Sequence, residues 1–399
     1  MDSRFHIFLF VLILIVLQAC SQFSQKQPIV DAKGDVARFL LRPNQSININ
    51  ANEQLKNIEV VPLEGTPKSF VGAIEEVYQD STTGRWYILD SKKNSAIIIF
   101  EQDGKFVKRI HNIGNGPGEY QQINDFELSD GKWIEVLDGR GQKLIKFDLE
   151  TDTLISEKKV PFYAWEYSYL EDGNYVFFKN SQANNLEEKK YFHKILILDK
   201  DMNLLWYRFP FELRLKQRNF SLMHNRTFSK AAQKINFNEF LSDTIYSVTS
   251  DTIEPGFIID YGEYSADNLD EEGFSSGQEK IRYLINHTDE IIMGIQHVTE
   301  DFNNVGFNFI HDNEVYTFLY DKISGEASII GDIQYGESLL ALPPPQKTIG
   351  SKYLGIYTWE LLSQIPLDEL NEDKESYSAL ILAKKEYKNP VLVLYNVKL

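Results

Sequence analysis

Three features of the sequence predict an all-β fold. The chain of 399 residues contains 21 Tyr, 26 Phe and 23 Gly, a composition typical of short strands and turns rather than helices. After residue 50, short apolar or alternating runs are bounded by Gly, Asp, Asn and Ser. A unit of two strands joined by an acidic turn also recurs along the chain, which indicates one architecture built from similar sheets.

The repeat is clearest where GRWYILD, residues 84–90, is echoed by GKWIEVLD, residues 131–138. Each segment is followed by a polar turn and a second strand that ends in an aromatic residue. The last apolar residues of the repeated strand are Phe100, Phe147, Leu198, Val248 and Tyr320, which lie 47, 51, 50 and 72 residues apart. A final strand, 390–395, ends 75 residues after Tyr320, so the sequence contains six units.

A ring of blades explains why the sixth unit lacks a following strand. A four-stranded blade buries its faces only against its neighbours, so the units must close into a circle. We therefore predict a six-bladed β-propeller over residues 51–399, in which the segment 57–63 supplies the outer strand beside 391–399. Pro62 is acceptable there because an outer strand need not donate on both sides. A sandwich or two separate β domains is the alternative.

Several segments depart from the repeat. The polar stretches 179–190 and 265–277 are expected to be solvent-exposed insertions, and consecutive prolines keep 340–346 extended. In the segment 368–387, helical spacing of Leu370, Tyr377, Leu380 and Ile381 predicts one short surface helix before the closing strand. The predicted fold is therefore all-β with one short helix near the C-terminus.

The first residues predict an export signal. Residues 7–17 form an apolar run of eleven residues, about half the length that a membrane-spanning helix needs, so residues 1–19 are expected to be a signal peptide. The run ends in Leu17-Gln18-Ala19-Cys20, which resembles the bacterial lipobox. In such signals the cysteine is lipidated and becomes the first residue of the mature protein. Cys20 is the only cysteine of the chain.

Residues 20–50 are polar and short of aromatic residues, so we predict a lipidated cysteine followed by a flexible tether. The lipid alone then holds the protein at a membrane. The formal net charge of −17 and the lack of Lys/Arg clusters exclude a nucleic-acid partner. One cysteine also excludes a disulfide framework and a Cys-rich metal site, and we expect no metal and no cofactor.

Five segments carry a resemblance to a known family. They are VVPLE at 60–64, IGNGPGEY at 113–120, FLSDTIY at 240–246, PGFIIDYG at 255–262 and NPVLVLY at 389–395. In this order they resemble the six-bladed β-propeller lipoproteins of Bacteroidetes, which are related to NHL-type propellers. The resemblance implies the cell envelope of a Gram-negative bacterium, with the lipid in the outer membrane. It implies no defined activity, and the facing side of the membrane stays open.

The segment GNGPGEY is the most conspicuous motif. Its glycines allow close backbone approach, but no Lys-Ser/Thr follows and a strand comes next, which disfavours a phosphate loop. A crossing between two blades is the structural interpretation. The functional one is contact with a ligand through Arg109, Glu119, Tyr120 or Arg140.

Aromatic residues alternate at Tyr163, Trp165, Tyr167 and Tyr169, which on a strand would place all four on one face. Packing between blades is the ordinary role of such a row. Stacking of a carbohydrate, with Trp165 as the binding residue, is the functional alternative.

Catalytic motifs are missing from the sequence. The histidines show no HExxH or HxH spacing, and no G-x-S-x-G nucleophile elbow occurs. We therefore predict a lipid-anchored, non-catalytic binding or scaffold protein whose partner is an envelope protein or a glycan. The alternative is a propeller lyase or hydrolase acting on polysaccharide or peptide through residues that converge at the channel, so enzymatic activity stays open.

Overall fold

A computed structural model of the protein shows a six-bladed β-propeller, which confirms the predicted fold. The structure describes residues 30–31, 36–50, 55–129, 131–180, 188–211, 226–231, 234–239, 241–266, 274, 277–334, 341–365 and 375–397. Six antiparallel sheets of at least four strands surround a central channel. The first strand of each blade lines the channel, and the fourth lies at the rim. We call the face at which the first strands begin the upper face.

Each blade follows the chain from the channel outward. In blades 1 to 3 the strands are Glu76–Gln79, Trp86–Asp90, Ala96–Phe100 and Phe106–Ile110; Ile123–Ser129, Trp133–Asp138, Lys143–Asp148 and Leu154–Lys159; and Glu166–Tyr169, Tyr175–Phe178, His193–Leu198 and Leu204–Pro210. In blades 4 to 6 they are Phe228–Lys230, Ile235–Phe237, Thr244–Val248 and Ile253–Asp260; Met293–Glu300, Asn304–His311, Glu314–Asp321 and Ala327–Gln334; and Lys347–Ile349, Lys352–Tyr357, Val391–Val397 and Leu55–Pro62.

The ring closes as the sequence predicted. Strand Leu55–Pro62 pairs antiparallel with Val391–Val397, and Pro62 lies opposite Val391 at the rim. Hydrophobic clusters fill all six spaces between neighbouring blades, including the space between blades 6 and 1, where Leu392 and Leu394 pack with Trp86 and Ile88. Burial of apolar surface on both faces of every blade thus stabilises the closed ring.

Residues 36–50, which we expected to belong to the tether, are folded onto the rim. Strand Ala37–Leu40 pairs parallel with the outer strand of blade 4 and antiparallel with the short strand Val30–Asp31. Strand Ile47–Asn50 pairs parallel with the outer strand of blade 5. Phe39 is completely buried. The physical reason is that an outer strand leaves a row of backbone groups unpaired, and this segment pairs with them.

The helices lie outside the blade strands. Helix Glu375–Leu382 continues as the π-helix Ala383–Tyr387, which confirms the short helix predicted near the C-terminus. Two helices of the described residues were not predicted, Gly277–Asn286 before blade 5 and Trp359–Gln364 within blade 6. The described 3₁₀ helices are Pro43–Gln45, Lys189–Tyr191 and Gly262–Tyr264. Residues 181–187 and 267–273, in the two predicted insertions, lie outside the described residues.

The repeated GRWYILD and GKWIEVLD segments end in an aspartate with the same structural role. The buried carboxylate of Asp90 accepts backbone N–H bonds from Gly72, at 2.6 Å, and from Lys93, at 3.0 Å. Asp138 accepts in the same way from Gln121, at 2.9 Å, and from Gly141, at 2.8 Å. Each carboxylate therefore connects two parts of its blade. One is the segment that leads into the first strand, and the other is the turn between the second and third strands.

Candidate functional site

Charged side chains converge on the channel from the first strands of the blades. They are Glu76 in blade 1, Asp125 and Glu127 in blade 2, Glu166 in blade 3, Arg226 and Lys230 in blade 4, and Lys347 in blade 6. Since an isolated charge is costly to remove from water, such residues must be paired. The pairs run between blades, and we call this set the channel network.

Arg226 is the centre of the channel network. It lies two residues before the first strand of blade 4, and its Nε is 2.7 Å from Glu76 Oε2 and 3.8 Å from Glu166 Oε2. Its Nη1 contacts Asp125 Oδ1, and its Nη2 donates to Asp125 Oδ2 at 3.1 Å. One guanidinium thus connects blades 1, 2, 3 and 4. Burial acts to lower the pKa of Arg226, but the three carboxylates outweigh it and raise the pKa well above its ordinary value.

The carboxylates around Arg226 are also fixed by backbone donors. Asp125 Oδ2 accepts from the N–H of Tyr167 at 2.9 Å, and Glu166 accepts from the N–H groups of Thr227 and Phe228 at 3.0 and 3.1 Å. Burial raises the pKa of Asp125 to about 7, against the opposing effect of Arg226. Burial also raises the pKa of Glu166.

Lys347 closes the network between blades 6 and 1. Its Nζ donates to Glu76 Oε1 at 2.5 Å and to the carbonyl of Val77 at 3.1 Å, and it lies 3.6 Å from the centre of the Tyr78 ring. Burial acts to raise the pKa of Glu76, but Lys347 and Arg226 outweigh it and leave the pKa below its ordinary value. Burial lowers the pKa of Lys347, partly offset by Glu76.

A second group of contacts lies two residues further along the first strands of blades 2 and 3, at Glu127 and Ser168. Lys230 Nζ contacts Glu127 Oε2, while Ser168 Oγ donates to Glu127 Oε1 at 2.6 Å. Lys230 Nζ also lies 5.5 Å from the centre of the Tyr78 ring. Residues of blades 2, 3 and 4 therefore meet a second time in the channel, separately from the contacts of Arg226.

His297 enters the channel from blade 5. Its backbone has a φ of 54° at an irregularity between Gln296 and Thr299, and such bulges redirect side chains. Its Nδ1 lies 3.4 Å from Asn308 Nδ2, and burial lowers the pKa of the imidazole to about 4. His297 is thus neutral at physiological pH.

A cavity of about 500 Å³ opens beside these residues in the channel. Its lining includes Tyr78, Arg226, Lys230, His297 and Lys347. Within the described ranges, no group of three or more His, Cys, Asp or Glu side chains is arranged to hold a metal ion.

The GNGPGEY segment forms a crossing between blades 1 and 2. The buried hydroxyl of Tyr120 lies 3.0 Å from the carbonyl of Ser95 and accepts from the N–H of Asn112 at 3.0 Å. Glu119 Oε2 accepts from the N–H of Gly116 at 2.7 Å. A side chain at Gly114 would overlap the Glu119 carboxylate, so that carboxylate would have to move away from the N–H of Gly116. Both predicted ligand residues thus hold their own loop.

The other predicted ligand residues also lie away from the cavity. Arg109 is on the outer strand of blade 1, where its Nη2 donates to the carbonyl of Asn94 at 3.3 Å. Arg140 is exposed in the turn between the second and third strands of blade 2. Trp165 packs half-buried in the cluster between blades 3 and 4. None of the five predicted ligand residues lines the cavity, and Cys20 lies outside the described residues.

The alternating aromatic row does not form one face. The strand covers only Glu166–Tyr169, so Tyr163 and Trp165 precede it. Tyr167 and Tyr169 pack between blades 2 and 3, whereas Trp165 packs between blades 3 and 4. The row therefore divides between two interfaces.

Sequence reasoning missed the channel network because its members are far apart along the chain. A signal was present: Glu76, Glu166 and Lys347 each begin the first strand of a unit, and Asp125 is near the start of another. An alignment of the six units by their third strands would have placed these charged residues at a similar position, near the start of the first strand of the blade.

Comparison with known proteins assigns the chain to a family. The family described as Domain of unknown function (DUF4934) matches residues 41–396. The chain belongs to this family. No curated protein matches it.

The chain is similar to several solved structures, among them the following two. A Bacteroides fragilis protein provisionally named as exported is 18% identical and has a TM-score of 0.70, and the match covers 91% of this chain and 99% of that one. This likeness shows the fold alone. Virginiamycin B lyase from Staphylococcus aureus is 12% identical with a TM-score of 0.41, covering 75% of this chain and 82% of the enzyme. Across the described part of the chain, no helix has the length and apolarity to cross a membrane.

Proposed function

We propose that the protein is a lipid-anchored, non-catalytic binding or scaffold protein of the cell envelope whose partner is a protein or a glycan. One observation carries the proposal: the channel carboxylates Glu76, Asp125, Glu127 and Glu166 are all engaged by cations or backbone donors of neighbouring blades. Groups held in this way stabilise a rigid ring, and a rigid ring presents a fixed binding surface.

The pairing of the channel carboxylates disfavours the alternative that the protein is a lyase or hydrolase. General acid–base catalysis needs a donor or acceptor that is free to exchange a proton with the substrate. His297 is the histidine that lines the cavity, and its Nδ1 faces the Asn308 amide rather than a carboxylate. We therefore propose the binding role alone.

The anchor rests on the sequence. Leu17-Gln18-Ala19-Cys20 supports lipidation at Cys20, and the resemblance to NHL-like propeller lipoproteins supports the outer membrane of a Gram-negative bacterium. The strands 37–40 and 47–50 are compatible with this arrangement, since they lie along the outer strands of blades 4 and 5 at the rim. Replacing Cys20 by Ser is expected to move the protein from the membrane fraction to the soluble fraction, and retention in the membrane would contradict the anchor.

The binding role is tested by crosslinking in intact cells that produce the full lipidated chain. We expect a reproducible partner, protein or glycan, to be recovered with the wild-type protein and with a Glu101→Gln variant, a change at an exposed rim ion pair. Recovery of no partner in repeated experiments, together with turnover of a polysaccharide or peptide by the purified protein, would overturn the proposal.

A further inference from the structure

Two apolar side chains protrude from the lower face of blade 5, the face opposite to the upper one. Phe302 and Ile323 are 80% and 77% exposed, the highest values among the large hydrophobic side chains of the described residues, and Ile113 follows with 52%. They lie in the turns after the first and the third strand, which end at the same side of an antiparallel blade. We call these turns, residues 301–303 and 322–326, the blade 5 tip. Single exposed apolar residues are ordinary, whereas neighbouring ones at a protruding point indicate an interaction surface.

The two turns of the blade 5 tip are joined and fixed by hydrogen bonds. The N–H of Lys322 donates to the carbonyl of Asn303 at 2.6 Å. Asp301 Oδ1 accepts from the N–H of Asn303 at 2.7 Å, and Asp321 Oδ1 accepts from the N–H of Ile323 at 2.7 Å. The backbone is therefore ordered in advance, so that presenting the apolar side chains to a surface costs little further ordering.

The N-terminal arm places blade 5 near the predicted lipid. Strands Ala37–Leu40 and Ile47–Asn50 attach the start of the described chain to the rim of blades 4 and 5. The ten residue steps from Cys20 to Val30 span at most about 36 Å. A lipid on Cys20 therefore keeps the rim of blades 4 and 5, rather than the opposite side of the ring, within that distance of the bilayer.

This length also allows the lower face to touch the bilayer. Val30 pairs with Phe39, which lies beside Ile259 near the upper end of the outer strand of blade 4. That strand, Ile253–Asp260, has eight residues and is about 26 Å long. Since the chain before Val30 can span more than this height, the blade 5 tip can meet the bilayer while the lipid is inserted.

The charges at the blade 5 tip favour a lipid surface without net charge. Asp301, Asp321 and Glu326 lie in the tip or beside it, and Lys322 Nζ is engaged by Glu300 at 2.7 Å. An anionic leaflet would repel these carboxylates and a chain with a formal net charge of −17. A zwitterionic phospholipid surface lacks this repulsion, and its acyl boundary accepts apolar side chains.

We propose that Phe302 and Ile323 insert into the bilayer that holds the lipid anchor, so that the lower face of blade 5 rests on a zwitterionic phospholipid surface. This inference rests on the proposed anchor at Cys20 and goes beyond it, because it specifies how the ring is oriented. The upper face of the ring then points away from the membrane and is available to the proposed partner.

The test uses the full lipidated chain in vesicles of phosphatidylcholine and phosphatidylethanolamine. Because Cys20 is the only cysteine, Asn303→Cys carries one free thiol once Cys20 is lipidated, and this thiol is labelled with the polarity-sensitive fluorophore NBD. We expect a blue shift of the NBD emission in the vesicles. The same label at Glu314→Cys, an exposed position at the upper end of blade 5, is expected to show no shift. Vesicles of phosphatidylglycerol are expected to give a smaller shift at Asn303→Cys.

Serine substitutions in the labelled Asn303→Cys chain identify the inserting side chains. Phe302→Ser and Ile323→Ser are each expected to lower the ratio of inserted to free tips about tenfold, the effect of withdrawing one buried apolar side chain. The matched control is Phe70→Ser, because Phe70 is a half-exposed aromatic residue in the segment that leads into blade 1 at the upper face. This control is expected to leave the shift unchanged. A thermal unfolding transition within the wild-type range establishes that each variant is folded.

Flotation of the protein with the vesicles measures the anchor separately from the NBD emission. Flotation without a shift at Asn303→Cys, or an equal shift with and without Phe302→Ser, would overturn the insertion and leave the anchor standing. Loss of flotation would contradict the anchor and the insertion together. A shift that arises without vesicles as the protein concentration increases would assign the blade 5 tip to a second copy of the chain. A shift in intact cells but not in vesicles would assign it to a protein partner, and either result would overturn the proposal.

Discussion

Arg226 and Asp125 form a two-contact ion pair although 101 residues and an entire blade separate them. Blade 3 lies between their blades along the ring, yet the two side chains meet in the channel. The same guanidinium also reaches Glu76 and Glu166. The Arg226 side chain therefore links four consecutive blades and depends on their curvature around the channel.

Removing Arg226 is expected to destabilise the ring strongly. Arg226→Met leaves three buried carboxylates without their common cation, which is expected to lower the free energy of unfolding by about 3–5 kcal/mol. Arg85→Met is the control, because the Arg85–Glu101 pair is exposed and such pairs contribute about 1 kcal/mol or less. Denaturant unfolding measures both. Equal losses for the two variants would show that the network adds nothing beyond a surface pair.

The rim strand at residues 37–40 is expected to be part of the cooperative fold. Phe39 packs against Phe257, Phe318 and Tyr320 with ring centres about 5 Å apart. Phe39→Ala is therefore expected to cost about 3–5 kcal/mol in unfolding free energy. The neighbouring Arg38→Ala, on the exposed side of the same strand, is expected to cost less than about 1 kcal/mol. Similar small losses for both would mean that the strand is only loosely attached.

Tyr120 is expected to act in folding rather than in binding. Tyr120→Phe leaves the N–H of Asn112 and the carbonyl of Ser95 without their shared hydroxyl partner, at a cost of about 1 kcal/mol in unfolding free energy. Recovery of the crosslinked partner is expected to be unchanged, since Tyr120 is completely buried. Thermal unfolding and crosslinking in intact cells check the two expectations. Loss of the partner with unchanged stability would contradict them and support Tyr120 as a ligand residue.

His297 is expected to make stability depend on pH. Its pKa is about 4 in the folded protein and 6.5 in an unfolded chain, so the unfolded chain binds more protons between these values. Stability therefore falls as the pH decreases from about 6.5 to 4, by up to about 3 kcal/mol from this residue. His297→Asn, which tolerates the left-handed backbone, is expected to lack this part of the decrease. Denaturant unfolding at pH 7 and pH 4.5 measures the difference, and parallel curves for the two proteins would contradict the assignment.

Much of the fold followed from local patterns. The alternation around Phe100 and Phe147 identified the third strand of each blade, and the unmatched last strand required the pairing with residues 57–63. Residues 37–50 were assigned to the tether because they are polar and short of aromatic residues. Their strand structure comes from the rim edges of blades 4 and 5, which local sequence does not reveal.

The sequence by itself determined the number of blades and the closing strand, because both depend on a periodicity that repeats every few dozen residues. Only the tertiary structure decided which charges meet. Arg226, Asp125, Glu76 and Lys347 come from four blades, and their pairing follows from the radius of the closed ring rather than from any spacing along the chain. A charge on an inner strand is recognisable as part of a site only when the opposite side of the channel is known.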